Sequence, residues 1–233
     1  MKNKFFPIII ATLFFSSCEL ETLNNISDLE EGANLFHPDT DKEFYKYIQN
    51  FSRLAKKYNL NLAESLRTTP ITFSNDISGS GVCYRTYQEG EIIAHEIEIK
   101  KSSWNSDYGT IHHNGKRIKI RDIIRETVVY HELGHCILNR DHDSTLGKNR
   151  VSNAIPMSLM YPSTKYARYY MKYYNAYIRE LFTKSKNGFT SLTLIDPQAD
   201  ALVSPIGQAE NMDSPSRENH HLQFCPGIKH IYH

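Results

Sequence analysis

The sequence carries almost no surplus of charge of either sign: 27 Lys and Arg against 26 Asp and Glu leave a formal net charge of +1. That balance removes the electrostatic footprint of a nucleic-acid binder or of a protein that coats acidic lipid. Long apolar runs are lacking too. The one at the N-terminus, Phe5 to Phe15, falls short of the roughly 20 residues that cross a bilayer. Cysteine is scarce, at four residues, which leaves few pairings to consider. What is present is a 40% hydrophobic fraction over 233 residues, enough for one globular domain of ordinary size plus tails.

The N-terminus reads as an export signal. Lys2 and Lys4 precede the apolar run, and Ser16-Ser17-Cys18 follows it, so a charged start and a short greasy core lead to small residues before a cysteine. The pattern resembles a bacterial lipobox, which implies that Cys18 becomes the lipidated first residue of the mature protein; an ordinary signal peptide with an incidental cysteine is the alternative. Residues 1–17 are then signal peptide, and residues 18–40 are the lipidated cysteine and a polar tether. The protein is expected to be exported, anchored by acyl chains to a bacterial membrane, periplasmic or at the cell surface, and monomeric. Setting Cys18 aside leaves Cys83, Cys136 and Cys225, an odd number in a compartment where disulfides persist. A Cys83–Cys136 bridge would staple a central helix to the preceding strands; Cys225, in an unpatterned tail, is the competing partner.

The chemistry concentrates at His131-Glu132-Leu133-Gly134-His135. Upstream, Ile120, Ile124 and Val128 lead into His131 and His135 at steps of three or four, so both histidines continue the buried stripe of an amphipathic helix expected from about Ile120 to Asn139. Four residues apart, they share one helix face and can hold one Zn²⁺, while Glu132 is placed to take the proton of a water that the metal acidifies. Two satisfied core histidines are the plainer reading of the same stripe. A third ligand is needed. Asn139 tolerates the left-handed conformation that closes many helices, and Asp141 and His142 follow it, either of which could swing back to the metal; imidazole suits zinc better, which favours His142. Cys136 points off the ligand face.

With Ser158-Leu159-Met160-Tyr161-Pro162 added, the chain resembles the metzincin metallopeptidases over roughly Tyr84 to Phe182. That family's pattern is His-Glu-x-x-His-x-x-Gly-x-x-His with a later methionine turn, and the wording of the turn here is closest to the matrixin branch. The spacing departs from the pattern: the family's Gly falls at Leu138 and its third ligand at Asp141. An extra helical residue, with Asn139 in the Gly role, restores the match to His142. The resemblance implies an α+β fold, with a small twisted mixed sheet and two packed helices above a cleft, and the Met-turn and a C-terminal helix below it. It also implies that Met160 forms an apolar floor under the ligands without coordinating, and that a tyrosine near the turn assists the oxyanion. Tyr161 stands one residue early for that role, and a structural phenol is the plainer reading. A sheet edge that pairs with the main chain of a peptide or protein substrate is implied as well.

The rest of the chain fits a domain over residues 41–183. Phe44, Tyr47, Ile48, Phe51, Leu54, Ala55 and Tyr58 recur at helical spacing. Ile71-Thr72-Phe73, then Val82 to Tyr87, then Ile93, His95, Ile97 and Ile99 read as three strands. His95 reads as a strand residue, His112 and His113 as part of a hairpin before Asn114-Gly115, and Trp104 as packing for the end of the sheet. Tyr166, Tyr169, Tyr170, Tyr173, Tyr177, Ile178 and Leu181 form the face of one further helix, and residues 184–233 lose all pattern. Three functions remain open: a zinc endopeptidase; a catalytically silent, zinc-stabilised surface lipoprotein acting in binding or adhesion; and a thermolysin-like enzyme that takes Glu180 as its third ligand.

Overall fold

The computed structural model describes residues 35–113, 115–149, 154–163, 167–189, 192–194 and 228–232. Cys18 and Cys225 lie outside the described residues. Alternating apolar and polar side chains build a four-stranded sheet from β1 (Ile71–Ser74), β2 (Gly81–Gln88), β3 (Glu91–Lys100) and β9 (Ile228–Tyr232), in the order β1-β3-β2-β9. β2 and β3 form an antiparallel hairpin whose two-residue turn, Glu89-Gly90, has both residues at positive φ, the geometry that matches strand twist. β1 joins β3 and β9 joins β2, each in parallel, so the sheet is mixed.

Two helices pack above this sheet. α1 (Tyr45–Lys56) follows a 3-10 turn over Lys42–Phe44 and buries Tyr47, Ile48, Phe51, Leu54 and Ala55. Short α2 (Ala63–Arg67) leads into β1. After β3, α3 (Lys101–Asn105) buries Trp104 among the rings of Phe44, Tyr47 and Phe73. The hairpin of β4 (Thr110–His113) and β5 (Lys116–Lys119) holds His112 and His113 at the end of its first strand. α4 (Ile120–Cys136) packs on β2, β3 and α1 and is buried almost without interruption from Thr127 to Cys136. A disulfide joins its last residue, Cys136, to Cys83 in β2.

Below α4, β6 (Leu146–Lys148), β7 (Ala154–Pro156) and β8 (Thr193–Leu194) make a second small sheet beside α5 (Ala167–Lys172) and α6 (Tyr174–Thr183). The molecule is thus a mixed α/β architecture of small sheets and several helices, compatible with an α+β class.

Three features differ from the expectation. α4 stops at Cys136, not Asn139: the Ile137 and Leu138 amides both return to the Leu133 carbonyl, and Arg140 N–H returns to Gly134. The tyrosine-rich helix is two helices, broken at Tyr173 (φ −115°, ψ 28°), which leaves Tyr170 on one side bonded to Glu126 and Tyr177 on the other bonded to the Pro156 carbonyl. The core also runs past residue 183. Phe189 and Leu192 are buried in it, β8 completes the second sheet, and β9 extends the first.

Candidate metal centre

His131 and His135 lie on the buried face of α4, each 1% exposed, with Glu132 beside them at the same exposure. The chain then reverses through Asn139, whose φ of 50° is the left-handed conformation expected of it. The reversal is held by Arg140 N–H on the Gly134 carbonyl and by Asp143 N–H on the Met160 carbonyl, 2.9 Å. It returns His142 to the other two histidines. Ring nitrogens of the three all lie within 4.8 Å of one another. Asp141, one residue earlier, is exposed and stays outside the group.

The geometry also fixes which nitrogen faces inward. His131 Nδ1 is 2.7 Å from the Leu159 carbonyl and His135 Nδ1 is 2.6 Å from the Arg140 carbonyl, so each Nδ1 must carry a hydrogen to donate. Burial lowers the pKa of His131 well below the usual histidine value, lowers that of His135 to about 4 and lowers that of His142. A neutral imidazole that donates from Nδ1 has only a lone pair at Nε2. The Nε2 atoms of His135 and His131 are 3.1 Å apart, and those of His131 and His142 are 3.2 Å apart. Between His131 and His135, both of which donate from Nδ1, two lone pairs face at that distance and repel unless a cation lies between them. Tetrahedral zinc at bonds of about 2.0–2.1 Å sets its nitrogens at roughly 3.3–3.4 Å, so the donor set fits Zn²⁺ closely.

The carbonyls that orient these rings are themselves held. Ser158 Oγ accepts from the Met160 amide and donates to Glu180 Oε2, at 2.9 and 2.8 Å. Glu180 Oε1 pairs with Arg140 at 2.5 Å, and Arg140 also donates to the carbonyls of Glu180 and Leu181. The turn that carries Leu159, the loop that carries Arg140 and helix α6 are therefore one buried polar unit, the kind of outer support that fixes ligand orientation. Glu180 thus stands away from the histidines: both carboxylate oxygens are taken by Arg140 and Ser158, and the thermolysin-like ligand set loses its candidate.

Met160 is fully buried beneath α4, its sulfur against Gly134, where an added Cβ would come within 2.5 Å of it. Tyr161 supplies the turn with backbone bonds, donating to the Ser158 carbonyl and accepting from Ser163 N–H. On the sheet side, Gly81 of β2 abuts Glu132, and Arg85 of β2 donates to the His135 carbonyl. His95 is partly buried opposite Arg85 in the β2–β3 register, away from the cluster. Sequence reasoning singled out none of Gly81, Arg85, Arg140 or Ser158 for the site. The one legible hint was Gly81, the last residue of a small-residue run just before a strand. No protein family, curated protein or solved structure matches this chain.

Proposed function

We propose that the chain is a zinc-dependent endopeptidase with a metzincin-like fold, exported and anchored to a membrane through Cys18. The observation that carries this reading is the convergence of three histidine Nε2 atoms, two of them held as lone-pair donors, beside a buried carboxylate. His131, His135 and His142 are the residues that hold the ion. Bound there, Zn²⁺ supplies a Lewis acid that polarises a peptide carbonyl and brings the pKa of water down to about 7.

The chain's own groups do the rest. Glu132 accepts the proton of the attacking water as its oxygen bonds to the peptide carbon, then passes that proton to the leaving nitrogen as the C–N bond breaks, giving a carboxylate and an amine. The carbonyls of Leu159 and Arg140 keep two imidazoles in the tautomer that presents Nε2. Gly81, with no side chain, leaves room for the Glu132 carboxyl. Met160 closes the site from below with apolar surface.

The test is digestion of a diverse peptide mixture by the chain starting after Cys18, read by mass spectrometry, with Glu132→Ala and a chelator as controls. Cuts that fall at least ~100-fold in Glu132→Ala and vanish with chelator are expected, from the usual contribution of a general base. A folded, zinc-loaded protein that makes no cuts would instead favour the silent, binding lipoprotein.

A further inference from the structure

β2 is the strand through which the sheet touches the site. Gly81 lies against Glu132, Cys83 is bonded to Cys136, and Arg85 reaches the His135 carbonyl. An extended main chain lying beside Glu132 would therefore run along β2, and β3 already takes one side of that strand. The outer side is the remaining row of main-chain donors and acceptors, but it is not free. β9 lies along it in parallel, with Ile228 opposite Cys83, Lys229 opposite Tyr84, His230 opposite Arg85, Ile231 opposite Thr86 and Tyr232 opposite Tyr87.

The family resemblance implies that an extended polypeptide substrate pairs with a sheet edge, which here is the outer edge of β2; we propose that Ile228–Tyr232 is a resident intramolecular competitor for that edge. The proposal rests on the peptidase reading. The register supports a competitor. Pairing starts at Cys83, two residues past Gly81, and the N-terminal end of β9 is the end nearest Glu132. Between Leu194 and Ile228 lie 33 residues (228 − 194 − 1), so β9 is tethered through a long connection. A strand tethered in this way competes at an effective concentration on the order of millimolar, enough to raise the apparent KM of a peptide while remaining displaceable.

The experiment compares three forms of the zinc-loaded protein: the full chain, a chain ending at Pro226, and the full chain with Lys229→Pro and His230→Pro. Alternate residues of a strand face the same neighbour, so one of two consecutive prolines must remove a donor that faces β2. Quenched fluorescent casein reports KM and kcat, hydrogen exchange reports the β2 amides, and a synthetic Gly-Ile-Lys-His-Ile-Tyr peptide serves as the binding probe. In both altered forms KM is expected to fall about tenfold at unchanged kcat, as for an edge that is open about a tenth of the time in the full chain. Their β2 amides should exchange faster, and the hexapeptide should bind the shortened chain and restore protection. Unchanged KM and unchanged β2 exchange in both altered forms would overturn the proposal. If no form cuts casein, the peptidase reading fails, and hexapeptide binding with restored protection still decides whether β2 is a docking edge.

Discussion

Glu132 works within a space that one glycine defines. A Cβ built on Gly81 falls 2.7 Å from both Cγ and Oε1 of Glu132 and 3.0 Å from its Cδ, so Gly81→Ala must push the carboxyl aside. The backbone at Gly81 is ordinary, and the variant should fold and bind zinc to the same extent as the parent. Its kcat should drop by roughly 100-fold, the cost of misplacing a catalytic group by about an ångström; unchanged kcat would show that the carboxyl does not act from this position. Glu126, five residues before His131, is a different kind of carboxyl. Tyr170 O–H donates to it at 2.6 Å, but burial is the larger influence and pushes its pKa up. The folded chain therefore holds this proton more tightly than the unfolded one. Stability falls as pH rises from the ordinary carboxylate value to the folded one, then stays level. Glu126→Gln keeps an acceptor for Tyr170 without the charge, so its thermal midpoint should exceed that of the parent at pH 7 and match it well below pH ~4. Equal midpoints at pH 7 would contradict this. At this scale the convergence of His131 and His135 was legible in the sequence, because four-residue spacing on an apolar stripe is a local property. Gly81 and Arg140 were not, since each matters through a neighbour about 50 or 40 residues away in Glu132 and Glu180.

Among the elements, α4 carries most of the construction. Its buried stripe runs through Ile123, Thr127, Tyr130 and Gly134, and the disulfide pins its last residue to β2 with a Cα–Cα distance of 5.6 Å. That bond closes a loop with a sequence separation of 53, and replacing both cysteines by alanine should cost about 2–4 kcal/mol. Urea unfolding of the double variant reads this as a lower midpoint, and a midpoint equal to the parent's would show that the bridge adds nothing. The pairing itself was one of two open in the sequence, since residue counts do not distinguish Cys136–Cys83 from Cys136–Cys225. The strands β1 to β3 and helix α1 could be placed from periodicity to within a few residues. The break at Tyr173 could not, because Tyr170, Tyr173 and Tyr177 keep a continuous helical period, and the bonds to Glu126 and Pro156 form only in the folded chain.

Across the molecule, α4, packed on the upper sheet and α1, supplies two histidines and Glu132; the Leu159 carbonyl aims His131, the Arg140 carbonyl aims His135, and Glu180 of α6 bonds Ser158 and Arg140. The Arg140–Glu180 pair joins the two parts; it is buried, with side chains 5% and 0% exposed, and it connects residues 40 apart. Such a pair leaves no periodic trace, and Glu180 read in isolation invited a ligand role. The pattern of residues 184–233 was equally mute, since β8 has only two residues and Ile228-Lys229-His230-Ile231-Tyr232 of β9 does not alternate apolar and polar. The central claim is a single zinc held by three histidines with Glu132 outside the ligand set. Zinc per chain after exhaustive dialysis tests it most directly, measured on the parent and on Glu132→Ala, His142→Ala and Glu180→Ala, with folding of each checked by circular dichroism. The account predicts about one zinc for the parent and for Glu132→Ala, a loss in His142→Ala, and retention in whatever fraction of Glu180→Ala is folded. Zinc retained by His142→Ala, or lost from folded Glu180→Ala, would contradict it.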